Sequence, residues 1–329
     1  MKAVVLEDWN HFYPGVPSLE RLRERVEIEI QHDKPADQAD LLSRLKDAQI
    51  VVLNRERTKF DASVITALPA LELIVQTGGI SPNVSVSAAT ARGVAVAAAP
   101  GLPNSIEGVA ELALGLLLSL ARRIPANDRN VREGRWDVDP TVMLTGGTMG
   151  IIGLGRLGRS LARLGHALQM RVIAAGPTLT PERAAQSNVE FVSLDNLCRQ
   201  ADAVFICTRL SDLTRGLVTR RHIGLMKPTA YLINVARGPI VDEEALLDAL
   251  RARRIAGAGL DVFGREPLPV ANPLTRLDNV VLTPHIGWVT AANCRRFVDS
   301  VVEAISRYLD GDYGGLANPE ALAKRQPTR

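Results

Sequence analysis

The feature that most constrains the fold is a glycine cluster, Gly150-Ile-Ile-Gly-Leu-Gly-Arg-Leu-Gly158, near the middle of 329 residues. Residues 148–152 form a short β-rich apolar run, and residues 156–169 carry Leu157, Leu161, Leu164 and Leu168 at helical spacing. The glycines therefore fall on a strand-to-helix turn. Gly153 permits the tight bend, Gly155 lets the backbone approach a pyrophosphate, and Gly158 allows close packing of helix on strand, with the helix N-terminus facing the anion. Taken alone the motif is weak, and a glycine-rich βα turn without a ligand is the plain alternative. The strand and helix on either side favour a dinucleotide.

A βα rhythm surrounds this turn. Before it, strands are expected at residues 2–6, 26–30, 50–53, 73–76 and 94–97, with helices near 18–25, 39–47, 62–68 and 85–92. That alternation implies a parallel sheet covered on both faces. A Pro-containing break, Ala99-Pro-Gly-Leu-Pro-Asn-Ser105, precedes a helix over 106–122 whose apolar content suggests burial between two units. Further strands are expected at 148–152, 171–174, 190–192, 203–207, 231–234, 257–262 and 280–283, a complete doubly wound nucleotide domain. Residues 290–310 read as one amphipathic helix that must pack on something already built. The fold class is thus α/β, with two doubly wound parallel-sheet domains. A flavodoxin-like domain begins over 1–102, a Rossmann dinucleotide-binding domain is inserted over 103–289, and 290–329 returns as a helix to the first. No repeat or low-complexity segment interrupts this.

Composition narrows the function classes. With 46% hydrophobic and 23% charged residues, the chain can bury sizeable cores. Its net charge of +3, from 39 basic and 36 acidic residues, is too small and dispersed to imply nucleic acid or an anionic membrane surface. The terminal AKRQPTR reads as a solvated tail. Cys198, Cys207 and Cys294 are widely spaced and form no CxxC pair, which suggests neither disulfides nor a metal site and fits a reducing cytoplasm. MKAVVLEDWN resembles a first strand more than a secretory segment, and the apolar stretch 112–121 is about half a membrane span.

Chemistry concentrates after the later strands. Of five histidines, only His285 directly follows an expected nucleotide-domain strand, in VVLTPHIG, and ligands of open α/β sheets bind at carboxyl ends of strands. It is the best acid/base candidate. His166 falls inside the fingerprint helix, His222 at a basic helix start, and His11 and His32 near surface-like turns, so all four read as structural or solvated. Arg237, in LINVARGPIVDE, follows another strand, and its fixed fork suits a carboxylate. Glu266, in GLDVFGREPLP, also lies beyond a strand end and could bond His285, holding its tautomer and favouring its charged form. Separately, a loop salt bridge between Arg237 and Glu266 would be the simpler reading. Three such residues at three strand ends favour a site.

GLGRLG, INVARGPIVDE, GLDVFGREPLP and TPHIG, in this order and spacing, resemble the D-isomer-specific 2-hydroxyacid dehydrogenases over nearly the whole chain. The resemblance implies that Arg237 binds and polarises a 2-oxo acid, that His285 moves the proton and that Glu266 supports it. A nicotinamide cofactor would supply or take the hydride. It further implies that Gly153, Gly155, Arg156, Leu157, Gly158, Gly176, Thr208, Val235, Ala236, Asp261, His285 and Gly287 contact the dinucleotide, with Asp261 on the carboxamide. In TGGISPN, backbone N–H groups of Gly78, Gly79 and Ile80 would receive the substrate carboxylate, with Arg55 and Trp288 also lining the substrate pocket. A homodimer through the nucleotide domains is implied, with 102–122 and 131–144 as contact regions.

Two departures from the family pattern stand out. Members that prefer NAD place an acid at the end of the second nucleotide-domain strand, but here VIAAGPTLTPER puts Gly176 there. Arg183 lies several residues on and reaches a 2′-phosphate only if its loop folds back. NAD or dual use is expected, with NADP as the rival. The loop QTGGISPNVS is also less polar and basic than that of phosphoglycerate dehydrogenases, although Arg55 and Arg57 follow a nearby strand, and Trp288 adds bulk. A small or apolar 2-oxo acid, such as glyoxylate or hydroxypyruvate, is therefore expected. D-3-Phosphoglycerate dehydrogenase, or a non-catalytic NAD(H)-sensing protein of the same fold, are the alternatives. Formate dehydrogenases carry Gln where Glu266 stands, and no GxSxG or HExxH motif supports a hydrolase.

Overall fold

A computed structural model describes residues 1–9 and 11–324 of the chain. The tail reading for AKRQPTR falls largely outside the described residues. The chain divides into two compact units, Met1–Pro103 with the chain from Thr290 onward, and Asn104–Val289.

In the first unit β1 (Lys2–Val5), α1 (Pro17–Leu22), β2 (Glu27–Ile30), α2 (Gln38–Leu45), β3 (Ile50–Leu53), α3 (Ala62–Thr66), β4 (Leu73–Thr77), α4 (Val86–Ala91) and β5 (Ala95–Ala99) alternate. The strands pair in parallel in the order β2-β1-β3-β4-β5, the flavodoxin-like arrangement. Every residue of β3 and β4 is buried, as expected of central strands covered on both faces. Asp37 and Asp61 cap α2 and α3 by accepting first-turn N–H groups, which fixes where these short helices begin.

The second unit opens with α5 (Ser105–Ala121) and α6 (Ile124–Arg132). It continues with β6 (Thr148–Ile152), α7 (Arg156–Ala167), β7 (Arg171–Ala175), α8 (Pro181–Ala185), β8 (Glu190–Phe191), α9 (Leu194–Gln200), β9 (Ala203–Ile206), α10 (Arg220–Leu225), β10 (Tyr231–Asn234), α11 (Glu243–Arg251), β11 (Gly257–Leu260) and β12 (Val280–Leu282). Its seven parallel strands run β12-β11-β10-β9-β6-β7-β8, a Rossmann order extended by one strand. The helix expected over 106–122 spends apolar side chains on its own unit. Ala110, Ala113, Leu116 and Leu117 of α5 join Ile151, Leu161 and Phe205 in one core cluster, and α5 packs on α7, β10 and β11. Each large side chain buried there stabilises by about 1.5–3 kcal/mol.

The final helix, α12 (Ala291–Leu309), belongs to the first unit, where Val298, Val301, Ile305 and Tyr308 enter the cluster formed by β1, β3, β4 and β5. The element missed in the sequence is α6, which has no buried residue and therefore no apolar stripe to betray it. Strand boundaries fall within a residue or two of expectation.

Strand register in the second unit decides where chemistry can gather. Ile152 of β6 stands beside Ala175 of β7 and Ile206 of β9, so three carboxyl ends meet around the glycine turn. Asn234 of β10 pairs with Leu260 of β11, which pairs with Leu282 of β12, so the loops after these strands leave from one edge.

Candidate active site

At the first of these edges the glycine turn is built as the sequence requires. Gly153 has φ +98°, a conformation that a side chain strains, and a Cβ there would stand 2.8 Å from Thr208 N and Cα. Gly153 N donates to Ala175 O at 2.8 Å, and Cys207 N donates to Ile152 O at 2.8 Å, so the turn is stitched to both neighbouring strands. A Cβ on Gly158 would run into Gly153 O, which explains the third glycine. Gly155 is the N-cap of α7 and offers no side-chain cap, and nothing lies within 4 Å of its missing Cβ. With no acidic residue in its first turn, α7 leaves its N-terminal amides and Arg156 open to an anion. A cleft of about 160 Å³ adjoins this turn, lined by Gly153, Gly155, Gly176, Thr208, Arg183 and Arg209 among others. The residues present thus fit a dinucleotide pyrophosphate, with Leu157 turned into the core behind it.

The second edge gathers the candidate acid/base set. Asn234, buried at the end of β10, accepts from Ala236 N at 3.1 Å and donates to Arg237 O at 3.1 Å. One side chain thereby pins the turn that presents Arg237, whose Nη1 also donates to Ala236 O at 2.7 Å. Gly238 then passes so close to the Phe263–Gly264 peptide that any Cβ would overlap it. This contact draws the Arg237 loop onto the Glu266 loop.

Glu266 is fixed at both oxygens. Oε1 accepts from Phe263 N at 3.0 Å, and Oε2 lies 2.7 Å from His285 Nδ1. Burial works to raise its carboxyl, but the bond to His285, the charge there, the Phe263 N–H and the Arg237 charge prevail and hold it below the usual carboxylate range. An ionised Glu266 accepts the Nδ1 proton, which leaves His285 Nε2 without a partner among the described residues.

His285 itself takes φ +55°, rare for a residue with a side chain. The surrounding backbone is clamped by Asp261, which is 1% exposed. Its Oδ1 accepts from Thr283 Oγ1 at 2.6 Å and Ile286 N at 2.8 Å, and Oδ2 accepts from Gly287 N at 2.9 Å. Three of its four acceptor positions are thus filled by the loop that carries His285. Asp261, expected to contact the cofactor, brackets His285 through these bonds and keeps one acceptor position open. Trp288 follows, half-buried.

In the first unit Arg55 has φ +60°, and its N–H donates to Thr77 Oγ1 at 2.9 Å. A Cβ on Gly78 would run into Arg55 Nη1, so the guanidinium lies over TGGISPN, with its carbon 5.8 Å from the Phe297 ring centroid. The N–H of Gly78, expected to face a carboxylate, donates instead to Ala99 O at 2.7 Å because it extends the β4–β5 ladder. Gly79 and Ile80 keep N–H groups with no acceptor among the described residues. Gln76 holds the loop by donating to Arg55 O at 2.8 Å and accepting from Ser81 N at 3.0 Å.

The other histidines stay apart from this chemistry. His11 and His32 stack with ring centroids 4.1 Å apart, His222 pairs with Thr219 at the start of α10, and His166 lies on α7. No group of side chains able to hold a metal ion occurs among the described residues. Sequence reasoning passed over Asn234, Gly238 and Arg209. The first two could have been found as a polar residue ending an apolar strand and a glycine directly after the arginine.

Comparison with known proteins identifies the family. The family model for the D-isomer specific 2-hydroxyacid dehydrogenase, NAD binding domain, matches residues 114–287. D-3-Phosphoglycerate dehydrogenase of Mycobacterium tuberculosis is 37% identical over 304 residues, covering 89% of this chain and 57% of the relative. The chain therefore spans a little over half the length of that protein. Glyoxylate reductase of Korarchaeum cryptofilum is 34% identical over 317 residues, covering 94% of this chain and 95% of the relative. Among solved structures, a phosphoglycerate oxidoreductase from Vibrio cholerae superposes with a TM-score of 0.87 at 29% identity, covering 94% of this chain and 99% of the other. The chain belongs to the D-isomer specific 2-hydroxyacid dehydrogenase family.

Proposed function

We propose that the protein interconverts a small 2-oxo acid and its D-2-hydroxy acid, using a nicotinamide dinucleotide. The observation that carries this reading is the 2.7 Å pairing of His285 Nδ1 with Glu266, which leaves Nε2 as the atom that can take or give a proton, while the Arg237 charge acts on the same glutamate. In this reading the second unit is the dinucleotide domain and the first the substrate domain. Gly153, Gly155, Arg156 and Gly158 hold the pyrophosphate, while Thr208, Val235, Ala236 and Gly287 line its path. When bound, the nicotinamide supplies or accepts the hydride.

The chain's own residues do the rest. Arg237 orients the acid's carboxylate and polarises its 2-oxo group, as a planar fork can. His285 Nε2 gives its proton to the oxygen in reduction and takes it back in oxidation, while Glu266 keeps Nδ1 protonated and stabilises the imidazolium. Within the first unit, Gly79 and Ile80 keep N–H groups that suit an anion. Trp288 favours a short substrate, glyoxylate or hydroxypyruvate. Arg55 over Gly78 supports the second reading, a phosphorylated acid, as do the names of several relatives.

In the second unit, Ile124, Val131, Trp136, Val138 and Met143 expose between 51% and 86% of their surface, a concentration that fits a homodimer contact. No helix among the described residues is long and apolar enough to cross a membrane. Three free cysteines, two of them buried, suit a reducing cytoplasm.

The test is turnover of NADH and NADPH with a panel of 2-oxo acids. His285→Asn should abolish turnover, and Glu266→Gln should lower kcat/KM by roughly 10–100-fold, the scale of one charge-assisted hydrogen bond. Cofactor binding without turnover on any member would replace catalysis with sensing. Strong turnover of phosphohydroxypyruvate with weak turnover of glyoxylate would select the phosphorylated substrate.

A further inference from the structure

The cleft beside the glycine turn has a charge pattern of its own. Its floor is the turn at Gly153 and Gly155, one wall is the loop after β7, and the other is the loop after β9 at Cys207, Thr208 and Arg209. In a doubly wound domain the end of this second strand, here β7, is where the adenosine ribose is read, by an acid for a 2′-hydroxyl or by a cation for a 2′-phosphate.

No carboxylate lines the cleft. Gly176 stands at the reading position, and its backbone does not demand glycine, since an added Cβ would find only ordinary contacts of 3.6 Å and beyond. A side chain would fit there, and its absence opens the wall. Glu182, the acid in the loop's short helix, is turned to the Thr180 hydroxyl, a bond that lowers its carboxyl and commits it away from the cleft.

Two arginines line the opened space. Arg183, on α8, folds back along its own loop, and its Nη1 donates to Thr178 O at 2.8 Å. That bond pre-orders the side chain and uses one of its five N–H groups. Arg209 approaches from the loop after β9, and its guanidinium has no acceptor among the described residues. Two cations and no carboxylate line one cleft, so a dianionic phosphate placed there would meet charge of the opposite sign from both walls.

We propose that this cleft selects a dinucleotide whose adenosine ribose carries a 2′-phosphate, so that the protein prefers NADP(H) to NAD(H), with Arg183 and Arg209 as the phosphate's partners. The sequence alone favoured NAD or dual use because Arg183 lies several residues beyond Gly176. The fold-back over Thr178 removes that objection. This inference rests on the dinucleotide-binding reading of the second unit.

The experiment is equilibrium binding by calorimetry, without substrate, of NADPH and NADH to the full chain and to Arg183→Ala, Arg209→Ala and the double variant. Competition by 2′,5′-ADP and 5′-AMP isolates the adenosine end. The expected result is NADPH binding at least about tenfold tighter than NADH, each single substitution reducing that ratio several-fold, and the double variant bringing it near one. The NADPH affinity should also fall more steeply with salt. Both arginines are exposed, so folding is not at stake. Equal or tighter binding of NADH, or a ratio unmoved in the double variant, overturns the preference while leaving the dehydrogenase reading intact. Failure of both dinucleotides to bind overturns both.

Discussion

Replacing Asp261 with Asn tests how His285 is held. The carboxylate is 1% exposed and receives Thr283 Oγ1, Ile286 N and Gly287 N. In Asp261→Asn the amide oxygen can keep the Thr283 and Ile286 donors, but the NH₂ then faces Gly287 N. Two donors meet in a buried place, and the orphaned N–H costs about 1–3 kcal/mol. Loss of the charge weakens the two remaining bonds, yet burial, which pushes this carboxyl above its ordinary value despite its three donors, makes that loss largely self-offsetting. The orphaned donor therefore decides the outcome. For a unit of this size 1–3 kcal/mol corresponds to a Tm lower by about 2–12 °C. The sign with pH is also set. An acid raised in the folded state loses stability as pH rises from its unfolded value through its folded one, whereas Asn does not titrate, so the gap between native protein and variant narrows as pH rises through the raised value. Because the bonds bracket His285 at φ +55°, kcat should fall more than cofactor affinity. Thermal melts at several pH values, kcat and dinucleotide binding check this together. An unchanged Tm with an unchanged kcat would refute the clamp.

Glu7 is raised in the same sense, but its replacement should have the opposite effect on stability. It is 1% exposed, bonds only Thr58 through Oε2, and burial pushes its carboxyl above the usual 4.5, so the native state becomes less stable as pH rises through that shifted value. Glu7→Gln should raise Tm, by more at pH 8 than at pH 5; a gain that is level across this range would show that ionisation is not the cost. For the exposed apolar segment around α6, sedimentation should give a dimer, and Trp136→Asp with Val138→Asp a monomer that keeps its helical signal. A monomeric native protein would dismiss the interface.

The sequence disclosed most of the architecture because parallel sheets buried on both faces write themselves as short apolar runs at regular spacing. Ile50–Leu53, Thr148–Ile152 and Tyr231–Asn234 fall where periodicity puts them. The positions of Arg237, Glu266 and His285 were legible for the same reason, since each follows a strand whose register aligns with its neighbours. Features set by the path of a loop were not legible. That Gly78 would spend its N–H on Ala99 depends on β4 and β5 running to Thr77 and Ala99, one and two residues beyond the ends expected from sequence. That Asp261 would clamp the His285 loop depends on bonds across 22 to 26 residues of chain.

Cofactor choice is the sharpest instance of that difference. Read as a string, Gly176 only removes a carboxylate, and Arg183 stands too far along to replace it. Thr180 caps α8 by accepting from Arg183 N, so the loop turns back at that residue, and the arginine's own bond to the Thr178 carbonyl then aims it toward Gly176. Arg209 arrives from a strand that pairs with β6 and not with β7, so no local window of sequence contains both cations. The NADP(H) preference proposed above would follow from sheet order: β6 lies between β7 and β9, so the loops after those two strands flank the turn from either side.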